Sequence, residues 1–165
     1  MIGVDKGIIV IILYTMMKYT FKEKLYDALT IMGPSYLKKE YRNLWTPECP
    51  VTGYCYVVSE AIYYIMKDKG TELFPYVMRV YPKSRVYTGH PNESISGTIY
   101  DTHWFLKNHY GKILDYTCDQ YDELLKYGEG RQCGFLTKQP SKRGAELIKL
   151  LHSLSGKLYE DIRDD

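Results

Sequence analysis

The hydrophobic period changes midway along this chain, at Lys67-Asp68-Lys69-Gly70, and that change limits what it can fold into. Upstream, Tyr54 to Met66 carries Val57, Ala61, Ile62, Ile65 and Met66 as an apolar stripe at helical spacing. Gly70 suits a C-cap, because the left-handed residue that closes many helices costs glycine little. Downstream, Leu73 to Tyr81 is rich in aromatic and β-branched residues and stops at Pro82, the composition of a strand. A helix with one apolar stripe followed by half-buried strands hides both surfaces by packing helix on sheet, an α+β arrangement.

The flanking segments fit that scheme. Phe21 to Met32 has apolar residues at 21, 25, 28, 29 and 32 and meets Gly33-Pro34, which reads as an N-terminal helix. Ser35 to Leu44 reads as a second, short helix, and Asn43 to Gly53 as a loop punctuated by Pro47, Pro50 and Gly53. Thr98 to Lys107 and Lys112 to Tyr116 read as antiparallel strands joined by Asn108-His109-Tyr110-Gly111. Asp119 to Tyr127 is expected to be a short helix capped by Asp119, Cys133 to Thr137 a short strand, and Pro140 to Leu154 a C-terminal helix. Lys142 and Arg143 fall in the first turn of that last helix, where the macrodipole disfavours cations. A ligand, an acidic partner or a nearby carboxylate would each account for them.

The 165 residues support one sizeable core, so residues 20–165 are expected to form a single domain behind an apolar leader or peripheral segment, 1–19. The apolar run in that leader, residues 8–17, is too short for a bilayer core of about 30 Å, so a buried or peripheral segment is expected in preference to membrane contact. A net charge of +2 gives no field to hold nucleic acid; Lys138, Lys142 and Arg143 make only a local basic patch. The 18 tyrosines add apolar area that keeps a hydroxyl, suited to a small core or a polar cleft. Cysteines at 49, 55, 118 and 133 show no CxxC pairing, so neither a zinc knuckle nor a disulfide framework is expected and a reduced, cytoplasmic setting is favoured.

Three residues carry chemistry. Cys55 opens the apolar helix after Gly53-Tyr54, where backbone N–H groups and the positive helix end favour a thiolate and can donate to an oxyanion. His103, in Thr102-His103-Trp104-Phe105, is the best placed of four histidines to take the thiol proton. Asp115, across the hairpin in Ile113-Leu114-Asp115-Tyr116-Thr117, can orient the imidazole through its other nitrogen. Strand alternation puts Asp101 on the histidine's face as a rival orienter. Inert readings stand beside each role: a cysteine on an apolar helix is commonly a core residue, and Asp115 can tie down a turn. Glu60 reads as a helix-surface or buried-pair residue.

A cysteine at a helix start, then a histidine and an aspartate on successive strands, resembles the transglutaminase-like branch of the papain-like cysteine enzymes. Residues 45–117 carry the resemblance. Arylamine acetyltransferases are similar in triad type but generally larger. The resemblance implies a papain-like core and acyl chemistry on an amide or ester through a thioester: Cys55 attacks, His103 handles the proton, Asp115 orients His103. The Cys55 N–H would serve the oxyanion, with Trp45 or a loop amide as a second donor. The implied substrate is a protein, a peptide or a small amide, with no cofactor and no metal. Asp115-Tyr116-Thr117-Cys118-Asp119-Gln120 and the stretch from Gly134 to Arg143 also resemble uncharacterised small bacteriophage proteins, which implies an accessory role in the cytoplasm of an infected host cell. Competing readings are a noncatalytic protein-binding module whose tyrosines and Trp104 line an aromatic cleft, and zinc chemistry at His103, Asp101, Asp115 and Cys55.

Overall fold

The computed structural model describes residues 19–80, 101–121 and 123–165. Residues 1–18 of the leader, the last residue of the expected 73–81 strand, the expected loop at 87–97 and the first residues of the expected 98–107 strand lie outside them. The described elements are helix α1 (Phe21–Met32), helix α2 (Cys55–Lys67), strands β1 (Leu73–Val80), β2 (Asp101–Asn108), β3 (Ile113–Leu114) and β4 (Arg131–Gln132), and helices α3 (Lys142–Leu154) and α4 (Leu158–Asp164). The sheet is open and antiparallel, in the order β3-β2-β1-β4, with helices on either side of it in sequence: a small α+β fold.

Thr20 starts α1 with a capping box, its hydroxyl accepting from the Glu23 N–H while the Glu23 carboxylate takes the Thr20 N–H. The apolar positions of α1 read from sequence, 21, 25, 28, 29 and 32, are all buried. α2 packs on β1 and β2 and against α3, and its stripe joins Leu106, Leu147, Leu151, Leu158 and Ile162 in one core. The pleat of β2 divides its side chains. Leu106 enters that helical core, whereas Phe105 joins Met78 and Val80 in a second cluster on the opposite face, covered by Tyr121, Leu125 and Tyr127.

Three expected elements differ. The segment after Gln120 is not a helix: Cys118–Gln120 and Tyr127–Glu129 are single 3-10 turns. It is drawn over the sheet instead, with Tyr121, Leu125 and Tyr127 on the second cluster and Leu124 98% exposed. Ser35 to Leu44 likewise folds as two 3-10 turns, Pro34–Tyr36 and Lys39–Tyr41. The expected strand at Cys133–Thr137 lies two residues early: Arg131 and Gln132 pair with Val77 and Tyr76, and the Cys133 N–H reaches the Pro75 carbonyl at 3.0 Å. Pro75 has no N–H to return, so the ladder stops there.

Candidate functional site

β3 pairs only with Leu106 and Lys107, so among the described residues the outer edge of β2 at 101–105 has no strand beside it. The N-terminus of α2 comes up to that edge. Its N-cap is Tyr54, which supplies no capping side chain, so Cys55 begins the helix with first-turn N–H groups that no N-cap oxygen occupies. Gly53, before it, needs glycine twice over: its φ is 76°, and a Cβ there would lie 3.1 Å from the Tyr41 Cβ. Its N–H donates to Gln120 Oε1 at 3.2 Å.

His103 is fully buried on the second face of β2, opposite Met78 in β1. Tyr121 stands edge-on to its ring at a centroid distance of 5.0 Å. Nε2 meets Asp115 Oδ2 at 2.6 Å, so Asp115, and not its rival Asp101, is the acid bonded to the imidazole. Asp115 is itself held from three sides: Thr117 donates its N–H and hydroxyl to Oδ1, and the Tyr127 hydroxyl donates to Oδ2 at 2.8 Å. With Nε2 committed, Nδ1 is buried and makes no hydrogen bond among the described residues.

The Cys55 thiol donates to the Thr102 carbonyl at 3.5 Å, next to His103 in the chain. It lies close enough to the imidazole to bear on its protonation. Burial alone would push the His103 pKa down, but the Asp115 bond and the Cys55 sulfur outweigh it and hold the value up, at about 9. For Asp115 burial would push the pKa up, and it is lowered because His103, the Thr117 N–H and the Tyr127 hydroxyl favour the anion. The structure thus joins His103 to Asp115 directly and sets Cys55 at the strand residue beside them.

A cavity of about 270 Å³ opens over this end of α2. Thr52, Gly53, Cys55, Asp101 and Thr102 line it, with Tyr56 and Trp104 as an aromatic wall, and Lys38 and Arg143 also line it. The wall extends through ring contacts of Tyr56 with Trp104 at 4.9 Å and of Trp104 with Phe135 at 5.6 Å. Trp45, expected with a loop amide as the alternative source of a second oxyanion donor, does not serve: its indole N–H is spent on the Pro50 carbonyl at 3.1 Å, and it does not line the cavity. Among the described residues no three His, Cys, Asp or Glu side chains converge as a metal site, and no helix is long and apolar enough to cross a membrane.

Sequence reading left Gln120 and Tyr127 without a role. Gln120 braces Gly53 and donates from Nε2 to the Thr117 carbonyl at 2.8 Å, tying the Cys55 loop to the Asp115 loop. Neither residue lies near Cys55 in the chain, and only the fold brings them in. Glu60 is fully buried, its Oε2 taking the Ser141 hydroxyl at 2.5 Å and its Oε1 the Tyr56 hydroxyl at 3.4 Å. Ser141 also caps α3 by accepting from the Gly144 N–H, so Glu60 is the carboxylate at the start of the helix with a cationic first turn. Searches of protein-family models, curated proteins and solved structures found no match to this chain.

Proposed function

We propose that the protein is a cysteine-dependent hydrolase or acyltransferase acting on an amide or ester, with Cys55 as nucleophile, His103 as base and Asp115 as orienter. The observation that carries the reading is the His103–Asp115 bond of 2.6 Å, which leaves Nδ1 as the nitrogen open to the neighbouring thiol. In this reading the Cys55 proton passes to His103 before attack, where the raised pKa of the imidazole keeps it, and the thiolate so formed attacks the substrate carbonyl. The oxygen gathers charge beside the first-turn N–H groups of α2, and the tetrahedral species collapses to a thioester as His103 protonates the leaving amine or alcohol. Water then yields the acid, and an amine yields transfer. A papain-like or transglutaminase-like core belongs to the same proposal, supported by the cysteine helix packed on an antiparallel sheet that carries the His–Asp pair. So does a cytoplasmic setting, in an infected host cell where the likeness to bacteriophage proteins applies.

Thiol labelling tests it sharply because exposure predicts the opposite result. All four cysteines are free, and Cys55 is the buried one, 7% exposed, while Cys49, Cys118 and Cys133 are half-buried. A core cysteine should be the last to react with a limiting acyl-directed electrophile; a nucleophile should be the first, with the preference lost in His103→Gln. Uniform labelling, or labelling that spares Cys55, rejects the enzyme. The second reading, a noncatalytic module that grips a protein through its aromatic wall, is favoured by the Tyr56, Trp104 and Phe135 rings and by the thiol's bond to Thr102. It expects Cys55→Ser to leave partner binding intact.

A further inference from the structure

The candidate nucleophile shares its cavity with two cations, Lys38 and Arg143, that make no ion pair among the described residues. Arg143 sits in the first turn of α3, where the helix dipole works against it, and the carboxylate nearest that turn, Glu60, is engaged by Ser141 and Tyr56. Among the described residues the Arg143 guanidinium makes one hydrogen bond, to the Tyr36 carbonyl at 3.3 Å, and no ion pair. Its charge draws down the pKa of the Tyr54 phenol, which donates to the Gly33 carbonyl, against the rise that burial imposes. Lys38 is exposed on the same cavity and, among the described residues, also has no ion pair.

We propose that the cavity binds a small acyl substrate bearing a carboxylate, which Arg143 and Lys38 hold while the reacting carbonyl lies at Cys55. This rests on the acyl-transfer reading above and names the class of acyl group it would accept. Lys38 and Arg143 line the cavity with one acidic residue, Asp101, so the charge on its wall favours a carboxylate. A cavity of about 270 Å³ is only a few bonds across, so both charges act over less than a Debye length, about 10 Å at 0.1 M salt. Guanidinium also matches a carboxylate with two parallel N–H donors. The Tyr56 and Trp104 rings suit the methylenes between the two ends.

The test uses two aryl esters of equal chain length, the 4-nitrophenyl monoester of adipic acid and 4-nitrophenyl hexanoate. In each, the Cys55 sulfur would form the thioester, the C–O bond to 4-nitrophenolate would break, and the thiol proton would leave through His103 to solvent. The full-length protein should release nitrophenolate faster from the adipate by about tenfold or more, a preference that added salt erodes. Lys38→Gln combined with Arg143→Gln should bring the ratio of the two rates toward one, and Lys38→Glu, an exposed change safe for folding, should reduce it further than Lys38→Gln. Equal rates with both esters, or a ratio the variants leave alone, overturn the inference while leaving the enzyme in place. Release from both esters that is indifferent to Cys55→Ala sinks the acyl-transfer reading itself, a separable failure.

Discussion

The contacts of His103 with Asp115 and Cys55 should make the protein lose stability between about pH 6.5 and pH 8, before most other groups titrate. His103 has a pKa of about 9 in the folded chain against an ordinary 6.5, a difference of 2.5 units. At about 1.36 kcal/mol per unit this is on the order of 3 kcal/mol. Because the folded value is raised, the stabilisation is fully present below about pH 6.5 and is lost as pH climbs through about 9. Roughly 2 kcal/mol of it should be gone by about pH 8. Stopping there keeps out Cys118 and Cys133, whose thiols burial pushes above the ordinary value. Urea unfolding followed by tryptophan fluorescence reads the change directly. With a slope near 2 kcal/mol/M, the midpoint should fall by about 1 M across that range. Asp115→Asn removes the charge but keeps the shape, so its midpoint should fall by clearly less over the same range, the contribution of Cys55 remaining. A wild-type midpoint that falls no further than that of Asp115→Asn, or one that rises with pH, would refute the paired imidazolium.

Other expectations follow from single contacts. Gly144→Ala ought to gain about 1 kcal/mol of helix propensity, yet its methyl would lie 2.4 Å from Glu60 Oε2 if nothing moved; displacing that carboxylate should leave a net loss of about 2 kcal/mol. Chemical denaturation of Gly144→Ala alone and in a Glu60→Ala background checks this, since the methyl should turn neutral or stabilising once the carboxylate is absent. Gly53→Ala should cost roughly 1–2 kcal/mol from its left-handed backbone alone, with a further cost from the Tyr41 approach, read as a lower melting temperature. Tyr127→Phe deletes a hydroxyl donated to Asp115 at 2.8 Å, so it should destabilise by about 1.5 kcal/mol or more and move the apparent His103 pKa measured by NMR titration. An unmoved titration would mean that the hydroxyl does not act through Asp115.

Helices whose apolar stripe is continuous were legible from residue order alone. α1 and α2 could be read because each stripe meets a glycine stop, and their packing makes no demand the local pattern contradicts. The stretch from Tyr121 to Glu129 was not, because its apolar residues are chosen by a distant surface. Tyr121, Leu125 and Tyr127 cover Phe105 and Val80, contacts set by the sheet and not by neighbours along the chain. Leu124, beside Leu125 in the chain, faces solvent. The register of β4 escaped for a similar reason, since Pro75 on the partner strand determines where the ladder can end.

The same division runs through the candidate site. Cys55 and His103 are visible in sequence because each is a rare residue type, at a helix start and in a strand of fixed alternation, and Asp115 because it lies across the hairpin from His103. The choice between Asp101 and Asp115 was not visible, since both are within reach of a ring on that face. The pleat sends both Asp101 and His103 to the second face, which leaves Asp101 beside the histidine along the strand. Asp115 follows the short β3 and arrives where the strand edge is open, at the level of Nε2. The length of β3 therefore decides the pairing. If pairing with β2 continued past Leu106 toward residue 101, the chain beyond Leu114 would run along that edge, and the opening that admits both the Asp115 carboxylate and the Cys55 end of α2 would close.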